Sequence, residues 1–130
     1  MNKLKKLHDS KISLLLSQEK SRLKAEMFSN IREEITKLVE SLEGEDRKKY
    51  LIFLFEDAKQ KIEGDFKVLC KKEDIPLVKE FFGGEVLEED VNGLILESGN
   101  MRVVADVSTL FERIESDVMN FIDEKVGELR

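Results

Sequence analysis

Apolar positions divide the chain into a long helical stretch and a mixed remainder. Residues 3–42 contain no Gly and no Pro. Within them Ile12, Leu16, Leu23, Met27, Ile31, Ile35, Leu38 and Leu42 recur at helical spacing, with one polar slip near Glu19-Lys20. The mean step of about 3.75 residues exceeds the 3.5 of a left-handed coiled coil, so a strict heptad is absent. A helix of that length would extend ~60 Å, whereas a body built from the remaining residues would be only ~25–30 Å across. The first twenty or so residues are therefore expected to project, carrying Leu4, Leu7, Ile12, Leu14, Leu15 and Leu16. A row of that kind needs covering, and the pattern implies a partner helix. The seam residues Ile12, Leu16, Leu23, Met27 and Ile31 are the candidate contacts.

Beyond Gly44, which is expected to end this helix, residues 46–62 predict a second one with Tyr50, Leu51, Leu54, Phe55, Ala58 and Ile62 on its face. The run Tyr50–Phe55 could also be a buried strand, but its charged flanks favour helix. So apolar a helix should lie between the sheet and the first and last helices. Phe66, Val68 and Cys70 alternate with Lys67, Leu69 and Lys71 as in a strand. Asp74 then predicts the cap of a short helix with Pro76 in its first turn. Its inner face is Leu77, Val78, Phe81 and Phe82, and Gly83-Gly84 ends it. A strand through Val86–Glu89 suggests a crossover to a parallel neighbour. Asn92-Gly93 invites a hairpin back from it. Such a hairpin would oppose Glu88 to Glu97, and the strand order stays open.

The stretch Gly93–Arg113 is the most legible. Apolar runs flank Gly99-Asn100, a two-residue loop with Gly first that suits a type II′ turn. The register this sets opposes Ser98 to Met101, Glu97 to Arg102, Leu96 to Val103 and Leu94 to Ala105. Leu94, Leu96, Met101, Val103 and Ala105 then share an apolar face, and Ile95, Glu97, Arg102, Val104 and Asp106 a mixed one. Thr109 followed by Glu112 has capping-box spacing. A last helix is expected from about Leu110 to Leu129, its stripe Leu110, Ile114, Val118, Phe121, Ile122, Val126 and Leu129 packing on the sheet. The fold class is α+β: a long N-terminal amphipathic helix, then a small mixed sheet of about four strands packed with helices. The expected division is a helical arm, 1–43, and an α+β domain, 44–130.

Charge sharpens that division. The net charge is −6, but residues 1–42 hold 9 basic and 6 acidic side chains, and residues 43–130 hold 13 and 22. An acidic body argues against nucleic acid, since phosphate backbones repel it. The basic residues of the arm alternate with Glu, as on a solvated helix surface. No apolar run approaches the ~20 residues that span a bilayer. Leu14-Leu15-Leu16 is too short an apolar core for a signal peptide. The single Cys70 excludes an internal disulfide and fits a reducing compartment, so the expected location is the cytoplasm.

Candidate chemistry is sparse. His8 is the only histidine and has no Cys beside it. Cys70 alternates with Phe66 and Val68 and reads as a buried thiol. Glu85, Glu88, Glu89 and Asp90 are the densest acidic cluster, but Asp90-Val91-Asn92-Gly93 lacks the oxygen series of a calcium loop. Gly83-Gly84 has no phosphate-loop Lys after it. The residues suggest neither enzyme activity nor a cofactor.

The Gly93–Arg113 pattern resembles the E-type peripheral-stalk protein of archaeal and vacuolar-type rotary ATPases. In that family a Gly-led strand, a Gly turn, a second strand ending in Asp and a Thr-[Leu/Phe]-x-x-Arg-[Ile/Leu/Met]-Glu helix start follow one another. Gly93, Leu94, Leu96, Gly99, Asp106, Thr109, Leu110, Arg113, Ile114 and Glu115 fill those places. The family often has a Gly pair where this chain has Asn92-Gly93, and a longer helical arm. The order of elements is similar over most of the chain. The resemblance implies a non-catalytic stator in the peripheral stalk of a proton- or ion-translocating A/V-type ATPase or ATP synthase. It implies a helical heterodimer with a G/H-type stalk partner, docking to the A/B-type nucleotide-binding head, and membrane association only through the complex. Related expectations are the stator of a flagellar or type III export ATPase, and a homodimeric non-enzymatic adaptor joined through the arm.

Overall fold

The structure, a computed structural model, describes the backbone of residues 2–128 and the side chains of residues 8–128. Helix α1 spans Asn2–Glu40 and α2 spans Gly44–Lys59; strand β1 is Lys67–Cys70, α3 is Ile75–Lys79 and β2 is Val86–Glu88. Strands β3, Gly93–Ser98, and β4, Met101–Asp106, lead into α4, Val107–Gly127. The architecture is α+β, with a mixed four-stranded sheet in the order β2-β1-β3-β4. Contacts divide the chain into two units, residues 35–113 and the pairing of α1 up to Glu34 with α4 from Ile114 onward.

In the first of these units, β1 pairs with β2 in parallel and with β3 antiparallel. The β1–α3–β2 crossover is as expected, but β1 lies between β2 and β3, so Asn92-Gly93 turns no hairpin. That placement opposes Lys67 rather than Glu88 to Glu97, and Lys67 Nζ is 3.3 Å from the Glu97 carboxylate. The β3–β4 register matches the sequence pairing at every position from Ser98↔Met101 to Leu94↔Ala105. Gly99 has φ +55°, and among the described residues no other residue type has positive φ, so Asn100 is in ordinary territory and the turn is of the II′ kind. Gly93 is needed for space: a Cβ there would lie 2.2 Å from the Ala105 carbonyl oxygen.

The sheet has two different faces. Val68, Cys70, Leu94, Leu96 and Ala105 enter a core with Leu51, Leu54, Phe55 and Ala58 of α2 and Val39 from the end of α1. Phe55 meets Phe66, Phe81 and Phe82 with ring centroids 5.9, 5.4 and 5.6 Å away. The run Tyr50–Phe55 is helical because α2 is apolar on several sides at once: the sheet, α3 and α1's last turns all border it. The helix ends at Lys59, earlier than its apolar pattern suggests, and Ile62 reaches the core from the loop. On the opposite face, Leu87, Leu69, Ile95 and Val104 form one row across all four strands.

In the other unit, Ile122 and Val126 of α4 are buried, and Lys24 Nζ lies 3.0 Å from Asp123. The periodicity of α4 predicts a stripe packed wholly on the sheet, and the structure corrects this. Val107 and Leu110 of the first turn touch the sheet core, while residues from Ile114 group with α1. Phe121 is exposed, and Leu129 lies outside the described residues.

Candidate interaction surface

The first half of α1 carries a cluster of exposed apolar side chains. Every described residue from His8 to Glu19 is exposed, and Lys20 is the first that is not. Ile12 is 43% exposed, Leu15 55% and Leu16 58%. At about 100° per residue these three lie within one ~100° sector, while Leu14 points to the other side of the helix. Leu4 and Leu7 lie outside the described side chains. The other sequence candidates, Leu23, Met27 and Ile31, are half-buried. They stand in the stretch where α1 and α4 share a unit, beside a groove of about 480 Å³ lined by Lys24, Ala25, Phe28, Glu115 and Met119. The five candidates therefore fall into two sets, Ile12 and Leu16 open to solvent and the other three partly covered within the chain.

Polar residues frame the open set. Glu19 interrupts the seam between Leu16 and Leu23, and Arg22 takes it in an ion pair while reaching Glu26 at 2.9 Å. The hydrogen bond and charge of Arg22 hold the Glu19 carboxyl below its ordinary pKa. Both side chains are solvated, so this rung supports helix locally and adds little stability.

The α+β unit contains the polar clasps that hold its elements together. Arg47 is buried in α2. Its Nε and Nη2 donate to both oxygens of buried Asp74 at 3.1 and 2.8 Å, and Nη1 donates to the Val39 carbonyl at 3.2 Å. Nη2 also approaches Asn92 Oδ1 at 3.4 Å. One guanidinium thus ties the end of α1, the start of α3 and the β2–β3 loop. Asp74, the cap of α3 by its sequence position, makes no cap bond, because its carboxylate is engaged by Arg47. A second clasp joins Asp57 of α2, buried, to Arg113 and to Lys61 at 3.1 Å. Arg113, foremost, keeps the Asp57 carboxyl below the usual range. Neither clasp is visible in the sequence, since the partners are far apart in the chain and carry no periodic signal.

The start of α4 also departs from expectation. Asp106, not Thr109, is the N-cap: its Oδ1 accepts from Ser108 N at 2.9 Å, and Thr109 Oγ1 accepts in return from Asp106 N at 3.2 Å. This is a capping box one turn earlier, with Asp and Thr in the reciprocal places. Arg102 bonds Glu89 at 2.6 and 2.7 Å and sits 3.6 Å from Glu97, its cross-strand neighbour.

Cys70 is buried, and burial pushes its thiol up to about 11, so the thiolate needed for nucleophilic work is scarce near neutral pH. His8 is exposed. Among the described residues no three His, Cys, Asp or Glu side chains converge as a metal site, and no helix is long and apolar enough to cross a membrane. No protein-family model and no curated protein matches this chain.

Proposed function

We propose that the chain belongs to a peripheral stalk, as a non-catalytic stator of a proton- or ion-translocating A/V-type ATPase or ATP synthase. The observation that carries this reading is the Gly- and Pro-free helix whose first half exposes Ile12, Leu15 and Leu16, joined to a folded α+β unit. A stator must transmit torque without doing chemistry. It needs a stiff rod with an apolar seam for a second rod, and a compact part that grips the nucleotide-binding head. The resemblance of Gly93–Glu115 to the E-type stalk protein adds the family, with a G/H-type stalk protein as the helical partner and the A/B-type proteins as the head. The working location is the cytoplasm, at the membrane only through the complex.

Co-expression with candidate partners tests the reading. A helical stalk protein is expected to co-purify in a stable heterodimer, and Leu16→Asp is expected to release it while the α+β unit stays folded. Capture of an export-apparatus stalk partner instead would move the assignment to a flagellar or type III export stator. A homodimer joined through the arm, indifferent to every stalk partner, would favour the adaptor reading.

A further inference from the structure

Helix α1 runs unbroken from Asn2 to Glu40, and its last residues, from Ile35 on, belong to the α+β unit. There Val39 is buried in the core, with Ile35 and Leu42 packed against it. Apolar contacts are not directional, so they hold a helix end in place without stopping it from unwinding by itself. Carbonyls at a helix end lack partners within the helix, and fraying starts there. The Val39 carbonyl is instead taken twice, by Leu42 N–H at 3.2 Å and by Arg47 Nη1 at 3.2 Å. The second bond brings a cation, the charge that a helix C-terminus favours. The rest of the guanidinium is engaged beside the two central strands of the sheet. Asp74, which accepts from Nε and Nη2, lies just after β1, and Asn92, 3.4 Å from Nη2, directly precedes β3. A planar, forked donor can serve all three places from one side chain. Arg47 and Asp74 are both buried, so water does not stand in easily for either.

We propose that Arg47 is the anchor that ties the end of α1 to the centre of the sheet, so that this helix end opens only when the sheet opens. The idea deepens the stalk reading and takes its meaning from it. Load carried along a continuous helix reaches the α+β unit at this last turn, and an end able to unwind alone would yield there first. With Arg47 in place, freeing the end of α1 strands a buried guanidinium N–H, deprives the Val39 carbonyl of its cation and opens the packing around Val39. Local unwinding then becomes as rare as loss of the whole unit.

Native-state hydrogen exchange of the chain alone tests the anchor. The amides of Leu38, Val39 and Glu40 should be as protected as those of Val68 and Leu96 on the central strands, and should respond alike to dilute urea. In Arg47→Lys a single ammonium keeps Asp74 but does not also serve Val39. The three helix amides should then become at least about tenfold less protected than the two strand amides. Asp74→Asn removes the charge that orients the guanidinium and should split the two sets in the same direction, so the test survives if Arg47→Lys does not fold. Leu94→Ala, a truncation in the core, should lower all five amides together, as a general loss of stability does. Wild-type helix amides that exchange well ahead of the strand amides overturn the proposal. So do Arg47→Lys and Asp74→Asn chains in which all five fall equally. Neither result bears on the capture of a stalk partner, and failure to capture one leaves this exchange pattern as it is.

Discussion

Two apolar stretches of this chain, Tyr50–Phe55 on α2 and Ile12–Leu16 on α1, have similar composition and the same helical backbone. In the first, Tyr50, Leu51, Leu54 and Phe55 are buried. In the second, Ile12, Leu14, Leu15 and Leu16 are all exposed. Local sequence makes both helical, but burial is decided by what else the chain can bring alongside. Around α2 stand a sheet, a short helix and the Arg47 clasp. Along α1, burial begins only at Lys20, in the stretch that shares a unit with α4. The contrast separates a region that buries its apolar residues among its own elements from one whose apolar residues stay exposed.

The largest expected effect sharpens the self-sufficient side. Arg47→Ala would leave Asp74 buried without its partner, and the unfolding free energy measured with urea should fall by about 3–5 kcal/mol. A loss below about 1 kcal/mol would show that the clasp adds nothing to the unit.

Asp57→Asn should cost less, about 1–3 kcal/mol, because Arg113 is largely solvated. It carries a pH signature. The Asp57 carboxyl is held below its ordinary 3.8 in the folded chain, so its contribution is present above that pH and is lost as pH falls through the lower folded value. Wild type should therefore lose stability in acid below about pH 4 more steeply than Asp57→Asn. Parallel acid profiles would contradict the assignment.

Tyr50 offers a smaller effect of the opposite sign. Its hydroxyl is buried with no hydrogen-bond partner among the described residues, and burial pushes its pKa up to about 12. Tyr50→Phe should leave stability unchanged or raise it by up to about 1 kcal/mol. Since the folded pKa lies above the ordinary 10.0, the unfolded chain ionises at Tyr50 first, and the resulting loss of stability begins near pH 10 and grows until pH reaches about 12. The wild-type chain should therefore weaken in strong alkali more than Tyr50→Phe does.

On the arm, Ile12→Asp should change the unfolding free energy of the isolated chain by less than about 0.5 kcal/mol, as exposed substitutions do. A loss of several kcal/mol would make the arm part of the core and erase the comparison.

The parts legible in the sequence were those governed by short-range rules. Gly99-Asn100 and strict alternation defined the β3–β4 register, and the alternation of Val68 and Cys70 identified the core face of β1. The helical stripe of α4 marked Ile122 and Val126 as apolar positions but not their surroundings, since periodicity names a face and not its neighbour. Arg47 and Asp74 lie 27 residues apart, and nothing local announces their meeting. Asp74 has the look of a cap because Asp before a Pro-led turn usually is one; the buried guanidinium competed for the same oxygens and prevailed. For the interaction surface, the seam was legible as a row. Helix length set against body size also expected the first twenty or so residues to stand uncovered, and burial begins at Lys20; that α4 shares a unit with the rest of α1 was not legible, because periodicity names no neighbour.

The most direct test is amide hydrogen exchange across residues 8–19, in the dilute chain alone and in complex with a helical stalk partner. The account predicts fast exchange alone and at least about hundredfold slower exchange in the complex, as an uncovered helix acquires a second rod. Slow exchange of these amides in the dilute chain by itself would contradict it.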